Sequence, residues 1–294
     1  MIKNYLKIAL RNLQKNKAFS IINILGMTIG MSSFMLIGIF VWEESQYDNY
    51  YKDKDRTYRL YDILTSDNGQ VSYLPTIPPV FGPKLLSDYP EVESTLRIMD
   101  LKQDVLITIE GESAYYKGAV YSEASIFDMM DVDLISGNQE TALERPNTIV
   151  ISESFANTLF GSKDAVGESI ELSQQPYEVT GVYADFSNHS HLNPPMILSF
   201  ASFTQYMPET RMNDWIWHQF YTYVKFKNPI DVSDFESKLN DMVADNAPPK
   251  EKFGLVYESH IQNISDIYLK SSMFERDMAK RGNITTLYAL SASA

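Results

Sequence analysis

From Ala18 to Trp42 the chain runs 25 residues without a charged side chain. At 1.5 Å of rise per residue, about 20 apolar residues cross the hydrocarbon of a bilayer, so AFSIINILGMTIGMSSFMLIGIFVW is long enough to span with some tilt. A cleaved signal peptide is the competing reading, but its apolar region is usually about 7–15 residues long and ends in a small-residue cleavage site. This run is longer and passes straight into Glu43 and Glu44. A buried helix of a soluble protein would not show the same contrast of charge at its two ends. A retained membrane anchor is therefore expected. Residues 1–17 carry Lys3, Lys7, Arg11, Lys15 and Lys17 and no acid, while the chain beyond Trp42 holds 20 basic and 38 acidic residues. Cations mark the cytoplasmic flank, so the N-terminus is expected inside and the acidic body outside.

The basic leader has a helical pattern of its own. Ile2, Leu6, Ala9 and Leu13 fall on one face and Lys3, Lys7, Arg11 and Lys15 step around the other. Such a helix would lie in the cytoplasmic interface with its cations on anionic headgroups; the plainer alternative is a solvated leader that only enforces topology. Within the apolar run, Gly26 and Gly30 form a small-x-x-x-small pair, the spacing at which membrane helices approach closely. Glycine is common in membrane helices, but Asn23, Thr28, Ser32 and Ser33 also prefer a neighbouring helix to lipid, so a partner helix is expected.

Composition narrows the functions further. A net charge of −13 argues against a nucleic-acid surface, which needs clustered cations. With no cysteine, disulfides, thiolate metal sites, iron–sulfur clusters and cysteine nucleophiles are excluded.

The body from about 46 to 283 alternates short strands with helices. TYRLYDIL (57–64), DVLITIEG (104–111), NTIVIS (147–152) and FGLVYESHIQNI (253–264) predict strands, as does the long alternating run WIWHQFYTYVKFK (215–227). GESIELSQQPYEVTGVYADF (167–186) predicts two strands joined by a turn over Ser173–Pro176. PPVFGPKLLSDYP (78–90) predicts a short helix, and SESFANTLFG (152–161) a helix capped by Ser152 and stopped by Gly161. GSKDAVGE (161–168) reads as the helix stop followed by a turn. Ser233 and Glu236 suggest a capping box ahead of Phe235, Leu239, Met242 and Val243. Irregular mixing of these elements argues for an α+β body rather than a doubly wound sheet.

Catalytic and cofactor motifs are absent: the sequence has no phosphate-binding loop, no G-x-G-x-x-G, no G-x-S-x-G and no H-E-x-x-H. On a strand, His189 and His191 would share a face and could chelate a metal with Asp185 or His218, but a loop bonding its own backbone is the better reading. Trp215 and Trp217 read as core or edge-strand residues. The expectation is a non-enzyme without cofactor.

The residues also resemble a family. IALRNLQKNKAFSIINILGMTIGM (8–31) is similar to the start of MacB-like, FtsX-type permease subunits of bacterial ABC transporters. EESQYDNYYKDKDRTYRL (43–60) resembles the junction after their first membrane helix, through Glu44, Tyr47, Asp48, Tyr58 and Arg59. PPVFGPKLLSDYPEVE (78–93), LERPNTIVISESFANTLFGSKDAVGESIEL (143–172) and VTGVYADFSNHSH (179–191) resemble successive parts of their periplasmic core domain. The resemblance implies an extracytoplasmic core domain over 43–283, with a porter-like part at about 48–117 and 207–283 and an inserted subdomain near 118–206. It implies that 284–294 begins a second membrane helix, and that the chain is a permease component or fragment in the inner membrane. Its implied partners are a cytoplasmic ABC ATPase, further permease helices or a second copy, and the bilayer. A singly anchored sensor or binding domain is the alternative, and an anchored hydrolase a third; convergent Asp, His and Ser side chains would raise the last.

Overall fold

The computed structural model describes residues 2–161, 165–249 and 254–293, which divide into two compact units. Ser162–Asp164 of the expected 161–168 turn and Phe253 of the expected 253–264 strand lie outside the described residues.

The smaller unit holds α1 (Ile2–Lys15), α2 (Lys17–Glu44) and α6 (Ile284–Ser293), and both α1 and α6 pack against α2. Asn16, off helical geometry at φ −116° and ψ 55°, separates α1 from α2. Along α2 no residue is buried; Ile37 and Val41, one turn apart, are half-buried. By length and composition α2 suits a membrane crossing.

The larger unit, Tyr47–Gly282, is the α+β body. Its strands are β1 (Thr57–Ser66), β2 (Val71–Leu74), β3 (Val92–Asp100), β4 (Val105–Ile109), β5 (Glu112–Tyr116), β6 (Ala119–Ser122) and β7 (Leu134–Gly137), then β8 (Thr148–Ser152), β9 (Ser169–Leu172), β10 (Gln175–Tyr183), β11 (Met196–Ser199), β12 (Tyr221–Phe226) and β13 (Leu255–Asn263). Among its helices are α3 (Phe81–Asp88), α4 (Glu153–Phe160) and α5 (Val232–Asn246).

One sheet runs through the body in the order β13-β1-β12-β3-β6-β11-β8-β10-β9-β4-β5. Its first four strands are mutually antiparallel, with α3 between β1 and β3 and α5 between β12 and β13. That is a β-α-β-β-α-β unit of ferredoxin-like order, opened between its second and third strands. Everything from β4 to β11 enters through that opening. The entering strands form a mixed array, parallel at β6/β11 and β8/β10; β4 pairs with β9, and β5 with β4, rather than with the first four strands. The β3/β6 ladder joins the two arrays.

Local chemistry explains several boundaries. Ser152 accepts the Phe155 amide at 3.3 Å to start α4, and Gly161 ends it at φ +61°. Ser173 and Gln174, both at positive φ, form the tight β9–β10 turn, so Pro176 lies within β10.

Two expectations need correction. The strand expected over 215–227 is confined to Tyr221–Phe226; before it, Phe220 only bridges Ile77, and the indoles of Trp215 and Trp217 pack on Phe81 and Phe220. Aromatic packing, not strand pairing, accounts for that alternation. The capping box is absent too: Asp231 caps α5 by accepting the Asp234 amide at 3.0 Å, while Glu236 reaches across to the Ile261 amide of β13 at 2.9 Å.

Candidate functional site

The body is entered through Tyr47–Tyr51, just after α2, and left through Ser271–Gly282, just before α6. These two stems are held by one loop, Ser187–Leu192, between β10 and β11. The loop bonds itself first: the Ser190 amide donates to the Ser187 carbonyl at 3.0 Å and the Ser190 hydroxyl to the Leu192 carbonyl at 2.6 Å.

Asp48 is the link on the entering side. Its backbone is left-handed, φ +59°, an uncommon conformation for a residue with a side chain. Its amide donates to the His189 carbonyl at 2.8 Å, and its Oδ1 accepts the His191 amide at 2.9 Å. The same oxygen lies 2.8 Å from Nδ1 of His191, with both side chains fully buried. A carboxylate only accepts, so Nδ1 carries the proton and Nε2 is left to accept from the Tyr223 hydroxyl at 2.9 Å. Burial pushes the Tyr223 phenol well above its ordinary range, so this donor stays protonated. Beside it, the Tyr51 hydroxyl lies 3.0 Å from that of Ser190, and Tyr51 is likewise driven up by burial.

On the leaving side, the Lys280 amide donates to the His191 carbonyl at 2.9 Å. The Lys280 ammonium donates to the Tyr47 hydroxyl and lies over that ring, which stacks on Tyr268 at 3.4 Å. A second anchor comes from β1. The Arg59 guanidinium pairs with Asp277 at 2.9 Å, both side chains fully buried, and donates to Gln262 and Ser271 at 2.9 and 3.0 Å. Entering stem, leaving stem, insert loop and central strands thus share one hydrogen-bonded cluster.

The residues weighed as a possible metal set, against the preferred reading of a self-bonded loop, are not brought together. His191 faces Asp48 and Tyr223; Asp185 accepts the Ser154 hydroxyl at 2.7 Å; His218 faces Asp62. Among the described residues no group of three or more His, Asp or Glu is placed to hold an ion. Asp62, His218 and Ser259 do converge, but in an order that does not make a nucleophile. Asp62 is in the middle, 2.7 Å from Nε2 of His218 and accepting the Ser259 hydroxyl at 2.5 Å, while Nδ1 of His218 faces the Ile216 carbonyl. The imidazole does not reach the serine, which is fully buried.

Gly26 and Gly30 lie on α2, where a Cβ at either position would meet nothing within 4 Å. Lys7, Arg11, Lys15 and Lys17 are exposed; the side chain of Lys3 lies outside the described residues. Sequence reasoning missed the cluster itself. The signals were that Tyr47, Asp48, Arg59 and the 179–191 segment with His189 and His191 carried the family resemblance, and that 188–191 read as a loop bonding its own backbone.

Comparison with known proteins bears on the same region. A family model for the MacB-like periplasmic core domain matches residues 20–242. The chain belongs to that family. No curated protein matches it. Among solved structures, a domain assigned to a permease protein of Porphyromonas gingivalis superposes with a TM-score of 0.64 at 20% identity, over 81% of this chain and 98% of that one. At that identity the likeness shows a shared fold. The periplasmic region of MacB from Actinobacillus actinomycetemcomitans gives a TM-score of 0.48 at 14% identity, over 72% of this chain and 89% of that one. The extracellular domain of the noncanonic ABC-type transporter YknZ from Gram-positive bacteria gives 0.44 at 14%, over 70% of this chain and 100% of that one. The MacB-like core domain here thus follows an N-terminal apolar helix suited to anchoring it.

Proposed function

We propose that this chain is a permease component of a MacB-like ABC transporter, with its N-terminus in the cytoplasm and its body outside the inner membrane. ATP hydrolysis by a partner ATPase on the cytoplasmic side moves the membrane helices, and the body follows to drive efflux or extrusion. The observation that carries this reading is the shared cluster at the stems: Asp48 and Lys280 are bonded to the same short loop at His189 and His191. A displacement of either stem is passed to the insert loop by short hydrogen bonds rather than through a slack linker.

Two further roles belong to this reading. The leader cations Lys3, Lys7, Arg11, Lys15 and Lys17 lie at the cytoplasmic face beside the ATPase and anionic lipid. Gly26 and Gly30 provide the flat face for a permease helix or a second copy. At 100° per residue both point within about 20° of Ile37, one of the half-buried residues of α2, so a single stripe collects these packing positions. In the body, pairing of β4 with β9, and of β5 with β4, supports an insert that starts near Leu101, ahead of the border near 118 suggested by resemblance.

Affinity purification of the full chain from its native membranes in mild detergent tests the reading. Recovery of an ABC ATPase in stoichiometric amount is expected. An intact chain recovered without one contradicts it and favours the singly anchored sensor.

A further inference from the structure

Several described cations of the acidic body meet no carboxylate, Lys54 and Lys227 among them, and three more fall close together in sequence just before α6. Most of its described cations sit against carboxylates, among them Lys52 with Asp131, Arg97 with Glu123, Arg145 with Glu178 and Lys225 with Glu93. Arg276, Lys280 and Arg281 have no carboxylate partner among the described residues. Lys280 is held by the Tyr47 hydroxyl, and Arg281 by the carbonyls of Ser271 and Phe274. All of these are neutral oxygens, which aim the cations without cancelling their charge. All three side chains are exposed.

Their place in the chain bounds how far they can stand from a membrane segment. Lys280 and Arg281 stand four and three residues before α6, a reach of about 14 Å at most for extended backbone. Lys280 is also bonded to Tyr47, three residues past the end of α2. Trp42, 63% exposed near that end, is the kind of residue that settles at the headgroup level. If α2 spans, the polar zone next to the hydrocarbon, about 5–7 Å deep, lies within reach of these side chains.

We infer that Arg276, Lys280 and Arg281 form a phosphate-binding collar that holds the base of the body on anionic phospholipid headgroups of the outer leaflet. A guanidinium presents paired donors that match a phosphate, and an ammonium adds a point charge. The collar and the stem cluster share Lys280, so lipid contact and stem position are linked through one residue. This rests on the reading that α2 spans the bilayer.

The chain lacks cysteine, so S272C, at an exposed position beside the collar, takes a single fluorophore. The labelled full chain is reconstituted into nanodiscs of phosphatidylcholine, alone or mixed with phosphatidylglycerol, with a quencher on a headgroup. Quenching is expected to rise with phosphatidylglycerol and to fall in high salt. Each charge removed in R276Q and in R276Q/K280Q/R281Q should weaken the dependence about fivefold. R276Q touches no group of the stem cluster, R276K/R281K should restore the signal, and K7Q/R11Q/K15Q in the leader should leave it unchanged. Equal quenching in both lipids overturns the collar, as does signal that needs a second copy. A chain that fails to enter the discs contradicts the spanning reading instead.

Discussion

At the scale of the residue, the Asp48–His191–Tyr223 chain makes the sharpest predictions. Removing the imidazole leaves a buried carboxylate and a buried phenol without their partner, so H191A should cost about 2–4 kcal/mol in a urea titration. D48N should cost less than H191A, because the amide that replaces the carboxylate keeps a carbonyl oxygen to accept from His191. The buried tyrosines give the body a pH limit. The Tyr51, Tyr221 and Tyr223 phenols are all raised, first by burial, so the folded state holds protons that the unfolded state releases. Their stabilisation is complete below the ordinary phenol range near pH 10 and is lost as pH rises through the folded values. Thermal midpoints should therefore fall steeply above about pH 10, with phenolate absorbance appearing together with unfolding; independent titration of the tyrosines in a folded body would contradict this burial.

At the scale of the element, what was legible follows from where the information resides. Turn and cap residues act on their neighbours, so Ser152, Gly161 and the β9–β10 turn were readable from sequence. The stem cluster was not, because Asp48, His191, Tyr223 and Lys280 are brought together by strand order across the whole body. The 215–227 run misled for a related reason: its aromatic alternation matches a strand but serves rings that pack on Phe81 and Phe220. Two elements carry tests of their own. Gly137 has φ +102°, and a Cβ there would fall 2.4 Å from the Thr180 carbonyl, so G137A should destabilise the β7–β10 pairing by about 2 kcal/mol or more. β13 closes one end of the sheet, and Asn240 of α5 both accepts the Ser259 amide at 2.8 Å and donates to the Ser259 carbonyl at 2.9 Å, standing in for a neighbouring strand. N240A should cost about 1–2 kcal/mol and expose an edge that pairs with other copies, measurable as concentration-dependent association in light scattering.

At the scale of the whole molecule, charge and topology point the same way. The basic leader, the uncharged run and the acidic body are arranged in sequence as a bilayer would sort them, and the ferredoxin-like unit opens to admit an insert whose loop returns to the stems. Single cysteines placed in the leader and on the body should react oppositely with an impermeant maleimide on intact spheroplasts, the body labelled and the leader protected. The claim at the centre is that stem movement reaches the body through His191. Ser87 on α3 and Thr158 on α4, both exposed, report on the two halves of the sheet when changed to cysteine and spin-labelled. In the chain assembled with its ATPase, the distance between the labels should shift between nucleotide-free and ATP-trapped states, and H191A should abolish the shift while leaving ATPase binding intact. A shift that persists unchanged in H191A, or no shift in the unaltered chain, would contradict the account.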